Sequence, residues 1–537
     1  MKKKILSLLI LTSFLVTGCI NTKPSSDPSS QVPSSGEQSS SSSEEQSSSS
    51  SIPDRPTTGT TTIDIFSTND FHGAVEEIGD EVGLARWGTY LKNANGAENT
   101  LVIDQGDTYQ GSIYSNFNRG ALLTDVMNYV QFDAHTIGNH DFDWGQEYIT
   151  LNKNRSYEGY STPFLAGNIY DYNFDTKTEG TTQRSELGGK STVLYLENGV
   201  KVGILGGIGR NQLEDICSSF TLDICFKHQV NFIKEEATHL RNDLHCDVVI
   251  ASIHAEQGDM TGNGLNSYVD LVLCGHSHRQ ETTNEGKLHY IQTLAKGQSI
   301  GKTTLTFDYA TNKVIDTSIN FISSSDIKAA TNNIDSTVQG LITQYNNQSK
   351  TEREEVLANN VSGYFSKSGP GANLMATAIY NAARASGYDI KLSMINSARE
   401  NIVNETTPEV WTYTEIYRAF PFDNMIYIAD VKGSELLNQL KYDYIYRNPS
   451  FTENAIDANE TYRIAVLDFI YLHINNYHVH DYFPLTGGTS TTLLKKNYRE
   501  ILRDYLKANG YNTGKALVYS DFANNLWQHN KNNFYEA

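Results

Sequence analysis

The sequence has few cysteines, few prolines and few charged residues for its length. Five cysteines in 537 residues are too few for a disulfide scaffold, and 11 prolines exclude a proline-rich or collagen-like chain. Charged residues make up 19% of the chain, and the formal net charge is -20. Because an acidic protein repels a polyanion, we expect no DNA or RNA partner. Small phosphate esters are not excluded, since a local metal ion or arginine can outweigh the global charge.

Membrane-spanning hydrophobic runs are also lacking near the start of the chain. The apolar run at residues 5–16 is too short to cross a bilayer comfortably. Three lysines precede it, so residues 1–18 are predicted to be a secretory signal peptide. The run ends in Val16-Thr17-Gly18-Cys19, which resembles a bacterial lipobox. We therefore expect a secreted protein that is anchored by a lipid on Cys19 to the outer face of the bacterial cell membrane.

The composition changes along the chain and predicts its domain organisation. Residues 19–60 are rich in serine and nearly free of large apolar side chains, which favours a disordered tether after the lipidated cysteine. The rest is too long for one core. We predict a first domain at 61–325, a linker helix at 326–362 and a second domain at 363–537. Cys217 and Cys225 lie in one loop and could pair, but the sequence leaves this open.

In the first domain, polar residues follow the ends of several short apolar strands. Strands that alternate with helical stretches indicate an α/β layered core. The residues at the strand ends are Asp70, His72, Asp107, Asn139, His254, His276 and His278. Ligands of open α/β sheets bind beyond the carboxyl ends of the strands, so we expect these side chains to lie together. Clustered aspartates and histidines need a cation to offset their desolvation, which favours a metal site over simple packing.

The chemistry of these residues narrows the choice of metal and reaction. Nitrogen and oxygen ligands without a thiolate favour Zn, Mn, Fe or Co over Mg or Ca. The set exceeds the needs of one ion and suits two divalent ions that share a ligand. Two such ions activate water for in-line attack on phosphorus. His140 adds an imidazole, and Asp143 adds a carboxylate that can orient this imidazole. Without the other motifs, the same two residues would indicate only a polar turn after a strand.

Taken together, these motifs resemble the five blocks of the calcineurin-like metallophosphoesterases. The blocks are Asp70-Phe71-His72, Gly106-Asp107, Gly138-Asn139-His140-Asp141, His254 and Gly275-His276-Ser277-His278. The resemblance implies a four-layer α/β/β/α sandwich. It also implies that Asp70, His72, Asp107 and His278 hold one metal ion, and that Asp107, Asn139, His254 and His276 hold the other. Phe142-Asp143 resembles the 5′-nucleotidase branch, in which His140 would be the catalytic imidazole and Asp143 would fix its tautomer.

The second half resembles the smaller α/β C-terminal domain of bacterial 5′-nucleotidases. The matching pieces are Arg399-Glu400-Asn401-Ile402, Thr412-Tyr413, Phe420-Pro421-Phe422-Asp423-Asn424 and residues 461–469. The resemblance implies that Arg399 binds phosphate, that Phe422 and Phe469 sandwich the base, and that Asn424 touches the base edge. Two departures stand out. The stretch before Arg399 lacks the family's glycine run, and residues 470–484 lack its Gly-Gly-Asp-Gly-Tyr segment, for which Asp481 is a candidate replacement.

These inferences predict an extracellular phosphohydrolase with two divalent metal ions that releases phosphate from nucleoside 5′-monophosphates. Alternative enzymes are a 2′,3′-cyclic-nucleotide phosphodiesterase/3′-nucleotidase and a nucleotide-sugar hydrolase. A lipid-anchored nucleoside-binding protein is the alternative outside enzymes. The metal ligands and the pairing of His140 with Asp143 argue against it, because capture needs neither.

Overall fold

The computed structural model describes residues 55–404, 406–439, 446–448, 455–472 and 491–523. The predicted signal peptide, Cys19 and most of the predicted tether lie outside these ranges, as does Asp481. Within them, no helix combines the length and the hydrophobicity needed to cross a membrane.

Two six-stranded mixed sheets form the N-terminal part. The first has the strand order Lys313–Ser323, Ser299–Asp308, Thr60–Thr68, Thr100–Asp104, Ala134–Thr136 and Phe164–Leu165. The second has the order Glu281–Glu285, Leu288–Gln292, Leu271–Cys274, Val248–His254, Lys201–Ile208 and Ser191–Tyr195. The central strands of each sheet pair in parallel, so their carboxyl ends share one edge.

The two sheets pack face to face through aliphatic side chains. Ile63 and Ile65 from the first sheet share a fully buried cluster with Ile204, Val248 and Ile250 from the second. The alternation along the first strand explains this, because successive side chains point to opposite faces. Burying one apolar face of each sheet against the other leaves the opposite faces to be covered by helices.

Helices cover both outer faces and complete four α/β/β/α layers. On the first sheet, Trp87 and Val126 of two helices pack against Phe66 and Val102. On the second sheet, Ile233 of a helix packs with Val249. The helices of this part are Gly83–Ala94, Ile113–Asn116, Ala121–Val130, Gln146–Lys153 and Gln229–Asn242. Short 3-10 turns lie at His140–Phe142, Arg210–Asp215, Ser218–Phe220, Gln257–Asp259 and Leu265–Ser267. The predicted α/β fold class is confirmed.

A small three-stranded sheet is added beside the second large sheet. Its strands are Thr178–Gln183, Ile169–Asn173 and Ile224–Phe226. Cys225 lies in this sheet, where its Sγ lies 3.6 Å from the Asp171 carbonyl oxygen. Cys217 precedes a 3-10 turn and contacts Ser219 Oγ at 3.3 Å. Both are buried free thiols, so the pairing that the sequence left open does not occur in the described chain.

Two helices and a second α/β unit follow. The helices Ser324–Ala330 and Ser336–Arg353 occupy much of the segment predicted to be a linker. A five-stranded sheet then has the order Tyr446–Asn448, Leu392–Ile395, Thr461–Leu467, Met425–Lys432 and Thr491–Asn497. Two short strand pairs join Val356–Ala358 to Trp411–Thr412 and Val361–Ser362 to Leu517–Val518. The helices here are Pro370–Ala385, Tyr413–Ala419, Gly433–Gln439, Asp468–Tyr471, Tyr498–Ala508 and Ser520–Ala523, with a 3-10 turn at Tyr511–Thr513.

Local sequence signals explain where several of these helices begin. Thr412 caps Tyr413–Ala419 and forms a reciprocal capping box with Glu415. Asn497 and Glu500 do the same for Tyr498–Ala508. Such boxes satisfy backbone N–H groups that the first helical turn leaves without partners. They fix the start of each helix and therefore the loop that precedes it.

Candidate active site

The predicted metal ligands gather at the edge where the parallel strands of both sheets end. Asp70 and His72 follow the strand Thr60–Thr68, and Asp107 follows Thr100–Asp104. From the second sheet, His254 ends its strand, and His276 and His278 follow Leu271–Cys274. Sequence reasoning placed all of them at strand ends, and the structure brings them into two adjacent groups.

The first group consists of Asp70, His72 and His278, whose ligand atoms all lie within 4.8 Å of one another. His72 Nε2 is 2.9 Å from His278 Nε2. Asp70 Oδ1 is 3.4 Å from His278 Nε2 and 3.9 Å from His72 Nε2. Two imidazole nitrogens and a carboxylate oxygen therefore converge on one small volume.

The second group consists of Asp107, His254 and His276, again within 4.8 Å of one another. His254 Nε2 is 3.4 Å from Asp107 Oδ2 and 3.0 Å from Asn139 Oδ1. The same Asn139 oxygen is 3.1 Å from His276 Nδ1. Asp107 Oδ2 also lies 3.9 Å from His72 Nε2 of the first group. Asp107 is thus the carboxylate placed between the two groups.

The donor atoms fit divalent cations for a specific reason. His72 Nδ1 lies 3.0 Å from the Gln110 carbonyl oxygen, and His254 Nδ1 lies 2.8 Å from that of Gln105. Each Nδ1 therefore carries a proton, so Nε2 is the nitrogen that can offer a lone pair to a metal ion once it is deprotonated. Asp70 Oδ1 is buried without a hydrogen-bond partner among the described residues. The convergence of such nitrogens with buried carboxylate oxygens fits two cations, and the prediction of two metal groups is confirmed.

The backbone at these ligands is held in an unusual conformation. Five of them have positive φ angles, namely Asp70 at 51°, His72 at 49°, Asp107 at 54°, His276 at 83° and His278 at 59°. Such angles are uncommon outside glycine and concentrate at functional sites. Gly138 allows a further close approach, since a Cβ there would lie 2.2 Å from Asp107 Oδ1. The turns therefore place the side chains at a cost in local stability.

Charges in the site are strongly coupled. Burial favours the neutral form of Asp107, but His254 and His140 hold its pKa well below the usual range. Burial disfavours the charged form of His254, yet Asp107 raises the pKa of that imidazole to about 10. Burial lowers the pKa of His72 well below its ordinary value, which keeps that ring neutral. A neutral imidazole beside ionised carboxylates is the protonation state that metal binding requires.

His140 stands next to the metal groups and is oriented by Asp143. His140 Nδ1 is 2.8 Å from Asp143 Oδ2, and the His140 backbone N–H donates to Asp107 Oδ1 at 2.7 Å. Burial opposes the charged ring, but Asp143 and Asp107 raise the pKa of His140 to about 9. With Nδ1 held by Asp143, Nε2 is the nitrogen left for a substrate. The structure therefore joins the predicted imidazole and carboxylate as a pair.

A cavity of about 580 Å³ connects these groups with the second half of the chain. Its walls include Asp107, Asn139, His140 and Asp143 on one side. On the other side lie the residues predicted to bind substrate, which are Arg399, Phe422, Asn424 and Phe469. The volume is typical of sites for small molecules. All of the predicted substrate residues thus face the same space as the metal groups.

Aromatic and polar contacts shape the far wall of this cavity. The Phe422 ring stacks on His140, with ring centres 5.7 Å apart and planes inclined by 27°. The side-chain amide of Asn424 donates to Asp468 Oδ1 at 2.7 Å. Phe422 therefore links the predicted base site directly to the predicted catalytic imidazole.

The family model for the calcineurin-like phosphoesterases matches residues 63–280. This chain contains a calcineurin-like phosphoesterase domain. Two matched relatives are the cell wall protein Lmo0130 of Listeria monocytogenes, 23% identical over 85% of this chain, and the 5′-nucleotidase of Homo sapiens, 28% identical over 46% of it. The matches span 65% and 44% of the lengths of these curated relatives.

Solved structures share the fold over a longer part of the chain than the phosphoesterase domain. The 5′-nucleotidase precursor from Thermus thermophilus has a TM-score of 0.66 and 18% identity, covering 85% of this chain and 97% of its own. The 5′-nucleotidase from Candida albicans has a TM-score of 0.57 and 15% identity, covering 85% and 100%. The phosphoesterase domain and the following α/β unit therefore have the fold of these nucleotidases.

Three residues near the phosphoesterase site were missed by sequence reasoning. Lys367 lines the cavity beside Arg399, and neither forms an ion pair with a carboxylate of the described residues. Asp468 lines it beside Phe469. Asp141 accepts hydrogen bonds from the backbone N–H of Gly138 at 2.8 Å and of Asp107 at 3.3 Å. Asp141 and Asp468 lie inside the sequence motifs named above. The sequence alone does not show which backbone N–H groups donate hydrogen bonds to them.

One ion cluster fastens the phosphoesterase domain to the unit that follows. The Asp423 carboxylate is paired with Arg119 on the domain and with Arg499 on the helix Tyr498–Ala508. The Arg499 side chain is only 3% exposed and also donates to the Phe420 carbonyl oxygen at 2.9 Å. Asp423 adjoins Phe422 and Asn424, so this cluster fixes the wall of the cavity.

We expect Asp423→Asn to lower the free energy of unfolding by about 3–5 kcal/mol, because it leaves the Arg499 guanidinium buried without its counter-charge. Burial raises the pKa of Asp423, but Arg499 and Arg119 lower it more, so that it lies below its usual range. The stabilisation should therefore be complete above about pH 4 and be lost as the pH falls through the folded-state pKa. Urea unfolding of wild type and variant between pH 3 and pH 7 measures this difference.

The matched control is Asp430→Asn, which breaks an ion pair with the half-exposed Arg463. It should cost no more than about 1 kcal/mol, as exposed pairs do. Equal losses in both variants would contradict the role assigned to Asp423.

Proposed function

We propose that the protein is a phosphoric monoester hydrolase with two divalent metal ions that releases phosphate from nucleoside 5′-monophosphates. The observation that carries the proposal is the single cavity in which the metal groups and His140 face Arg399, Phe422 and Phe469. Relatives named 5′-nucleotidase and solved nucleotidases of the same fold support it. Among the metals that suit these nitrogen and oxygen donors we propose Zn, Mn, Fe or Co.

The metal ions and their ligands would have separate roles in the proposed reaction. When bound, two divalent ions would activate water and offset the charge that develops on the phosphoryl group. Asp107 lies between the two ligand groups and would keep the ions at a fixed separation. Asn139 brings a neutral oxygen to the second group, which adds a ligand without adding negative charge next to an anionic substrate.

His140 would act at the phosphorus end of the substrate. Asp143 holds Nδ1, so His140 Nε2 can donate a hydrogen bond to a phosphoryl oxygen or a proton to the leaving oxygen. Arg399, which has no carboxylate partner among the described residues, would bind the phosphate with its guanidinium fork. Lys367 would add a second positive charge at the same wall.

Phe422 and Phe469 are proposed to hold the base between their rings, as aromatic faces do for any nucleobase. Because a stacking ring binds the substrate and the transition state about equally, Phe422→Ala and Phe469→Ala should mainly raise KM. Each stack contributes about 1–3 kcal/mol, or roughly five- to 150-fold in kcat/KM for AMP. Steady-state rates on AMP and on p-nitrophenyl phosphate, which has no base, measure the effect.

The p-nitrophenyl phosphate rates should change far less in both variants. Equal losses of kcat/KM on the two substrates would mean that the two rings act in folding rather than in base binding. No loss on either substrate would mean that the base binds elsewhere.

A phosphate-release panel tests the proposed function directly. AMP, ADP, 2′,3′-cyclic AMP, UDP-glucose and p-nitrophenyl phosphate would each be assayed with Zn, Mn, Fe and Co. We expect AMP to have the highest kcat/KM. Preference for the cyclic or the sugar nucleotide would replace the proposal by one of those activities, and nucleoside binding without phosphate release would replace it by a binding protein.

We also propose that the protein acts outside the cell, on a lipid anchor at Cys19. A relative that is named a cell wall protein supports an extracellular site, while Cys19 itself lies outside the described residues. Cys19→Ser should remove the lipid and release the protein from membranes into the soluble fraction. Metabolic labelling with a palmitate analogue and fractionation check this, and a variant that still requires detergent would exclude the anchor.

A further inference from the structure

One buried histidine near the site belongs to neither metal group. His135 is the middle residue of the strand Ala134–Thr136 and is the register partner of Asp104 on the neighbouring strand. Its side chain is fully buried. Tyr109 and Phe164 contact the imidazole edge to face, with ring centres 5.2 Å and 4.6 Å away. Buried polar groups are normally hydrogen-bonded, so the partners of this ring indicate what it does.

The hydrogen-bond partner of His135 is Asp104, which anchors the turn around Asp107. Because a carboxylate only accepts, His135 Nδ1 donates to Asp104 Oδ1, at 2.9 Å. The same oxygen accepts from the Gly106 backbone N–H at 3.0 Å and from the Thr108 hydroxyl at 2.5 Å. Gly106 and Thr108 stand on either side of Asp107. The Asp104 carboxylate therefore fixes the turn before and after the residue that lies between the two metal groups.

This turn also supports the loop of the first metal group. The backbone N–H groups of Asp70, His72 and Gly73 donate to the carbonyl oxygens of residues 106–108, each at 2.9 Å. Asp107 has a positive φ angle of 54°, and such a conformation persists only where its surroundings hold it. Loss of one anchor of the turn should therefore displace ligands of both metal groups.

The other nitrogen of the His135 ring faces a second carboxylate that holds the same turn. His135 Nε2 lies 3.9 Å from Asp141 Oδ2, which is too far for a direct hydrogen bond. That oxygen accepts from the Asp107 N–H at 3.3 Å and from the Gly138 N–H at 2.8 Å. The imidazole thus lies between two buried carboxylates, Asp104 and Asp141, that both anchor the turn around Asp107.

We propose that His135 is a positioning residue of the metal centre, and that it raises the affinity for both divalent ions by holding the Asp104 carboxylate against the turn of Asp107. The hydrogen bond from Nδ1 is the part of the ring that has this role. The inference rests on the two metal ions of the proposed function and not on its nucleotide substrate. Replacing residues that orient metal ligands from behind typically costs about 10- to 100-fold in metal affinity. We expect the lower end of this range, because His135 acts through Asp104.

Two substitutions separate this role from simple packing. His135→Asn keeps an N–H donor at the same number of bonds from the backbone as Nδ1, but it empties part of the space of the ring. His135→Met fills that space with a flexible apolar side chain that has no donor. We expect His135→Met to raise the Kd for Mn and for Zn about 10-fold, while His135→Asn keeps a Kd close to that of wild type. Isothermal titration calorimetry on the chelator-stripped proteins measures both values without any substrate.

The unfolding temperature of the stripped proteins should follow the opposite order. His135→Asn should lower the Tm more than His135→Met does, because it leaves a cavity. A purely structural ring would instead make metal affinity follow stability. Ile233→Ala is the matched control, since it empties a buried position on the outer helix Gln229–Asn242. It should lower the Tm and leave the Kd for both metals unchanged.

Each result has a definite consequence for His135. An unchanged Kd in His135→Met, or a Kd that rises as much in His135→Asn, would overturn the inference and leave the metal centre standing. Where His135→Met does not fold, His135→Asn decides alone. A wild-type Kd together with a lowered Tm supports the inference, and binding that is about 10-fold weaker overturns it. Failure of the wild-type protein to bind Mn or Zn would overturn the two-metal function itself.

Discussion

Asp107→Asn is expected to lower kcat/KM by about 10³-fold, because one oxygen of this carboxylate lies near ligands of both metal groups. Asp107 Oδ2 is 3.4 Å from His254 Nε2 and 3.9 Å from His72 Nε2. An amide keeps the shape but removes the negative charge that the two ions would share. Each tenfold loss of kcat/KM corresponds to about 1.4 kcal/mol of transition-state stabilisation. The expected loss of kcat/KM therefore corresponds to several kcal/mol.

Metal content per chain after dialysis, together with the rate on p-nitrophenyl phosphate, measures this result. His72→Ala should mainly weaken one ion, since its Nε2 belongs to the first group. Asp308→Asn is the matched control, because this aspartate caps an exposed turn at Thr311. Unchanged metal stoichiometry in Asp107→Asn would contradict the bridging role.

His140→Ala is expected to lower kcat by about 10²- to 10⁴-fold on AMP and on p-nitrophenyl phosphate alike. The ring lies beside the metal groups and would act at the phosphorus, which both substrates share. Its loss should therefore appear in kcat, whereas loss of Phe422 should appear in KM on AMP only. Steady-state kinetics on the two substrates separate these effects.

The chain contains a second, exposed histidine–aspartate pair at the same distance for comparison. At the solvent-exposed end of the helix Gln229–Asn242, His239 Nδ1 lies 2.8 Å from Asp243 Oδ2, the same distance as between His140 and Asp143. His239→Ala should leave both kinetic constants unchanged.

Asp143→Asn should lower kcat as well, because His140 would lose the partner that fixes its tautomer. A wild-type kcat in His140→Ala would remove this residue from catalysis.

The metal groups could be predicted from the sequence because they depend on a topological rule. Asp70, Asp107 and His254 each come at or just after the end of an apolar strand, and parallel strands end at one edge of a sheet. The α/β layers could be predicted for the same reason, since the alternation of apolar residues in Thr60–Thr68 decides which face is buried. Short-range patterns carry this information without any tertiary contact.

Other parts of the site depend on contacts between distant segments, and the sequence does not reveal them. Nothing in the pattern around Asp423 indicates that Arg119 and Arg499 meet there. The stacking of Phe422 on His140 joins residues of two separate folding units. The hydrogen bond from Asn424 to Asp468 links the beginning of one strand to the end of its neighbour, and the orientation of the amide follows only from that contact.

The central claim is that two divalent ions, bound at the ends of the parallel strands, serve one hydrolytic site. The most direct test is to strip the protein with a chelator, add Mn or Zn in steps, and follow bound metal per chain and phosphate release from AMP together. The account predicts that activity is absent without metal and reaches its maximum only when two ions are bound per chain. Full activity without metal, or with a single bound ion, would contradict it.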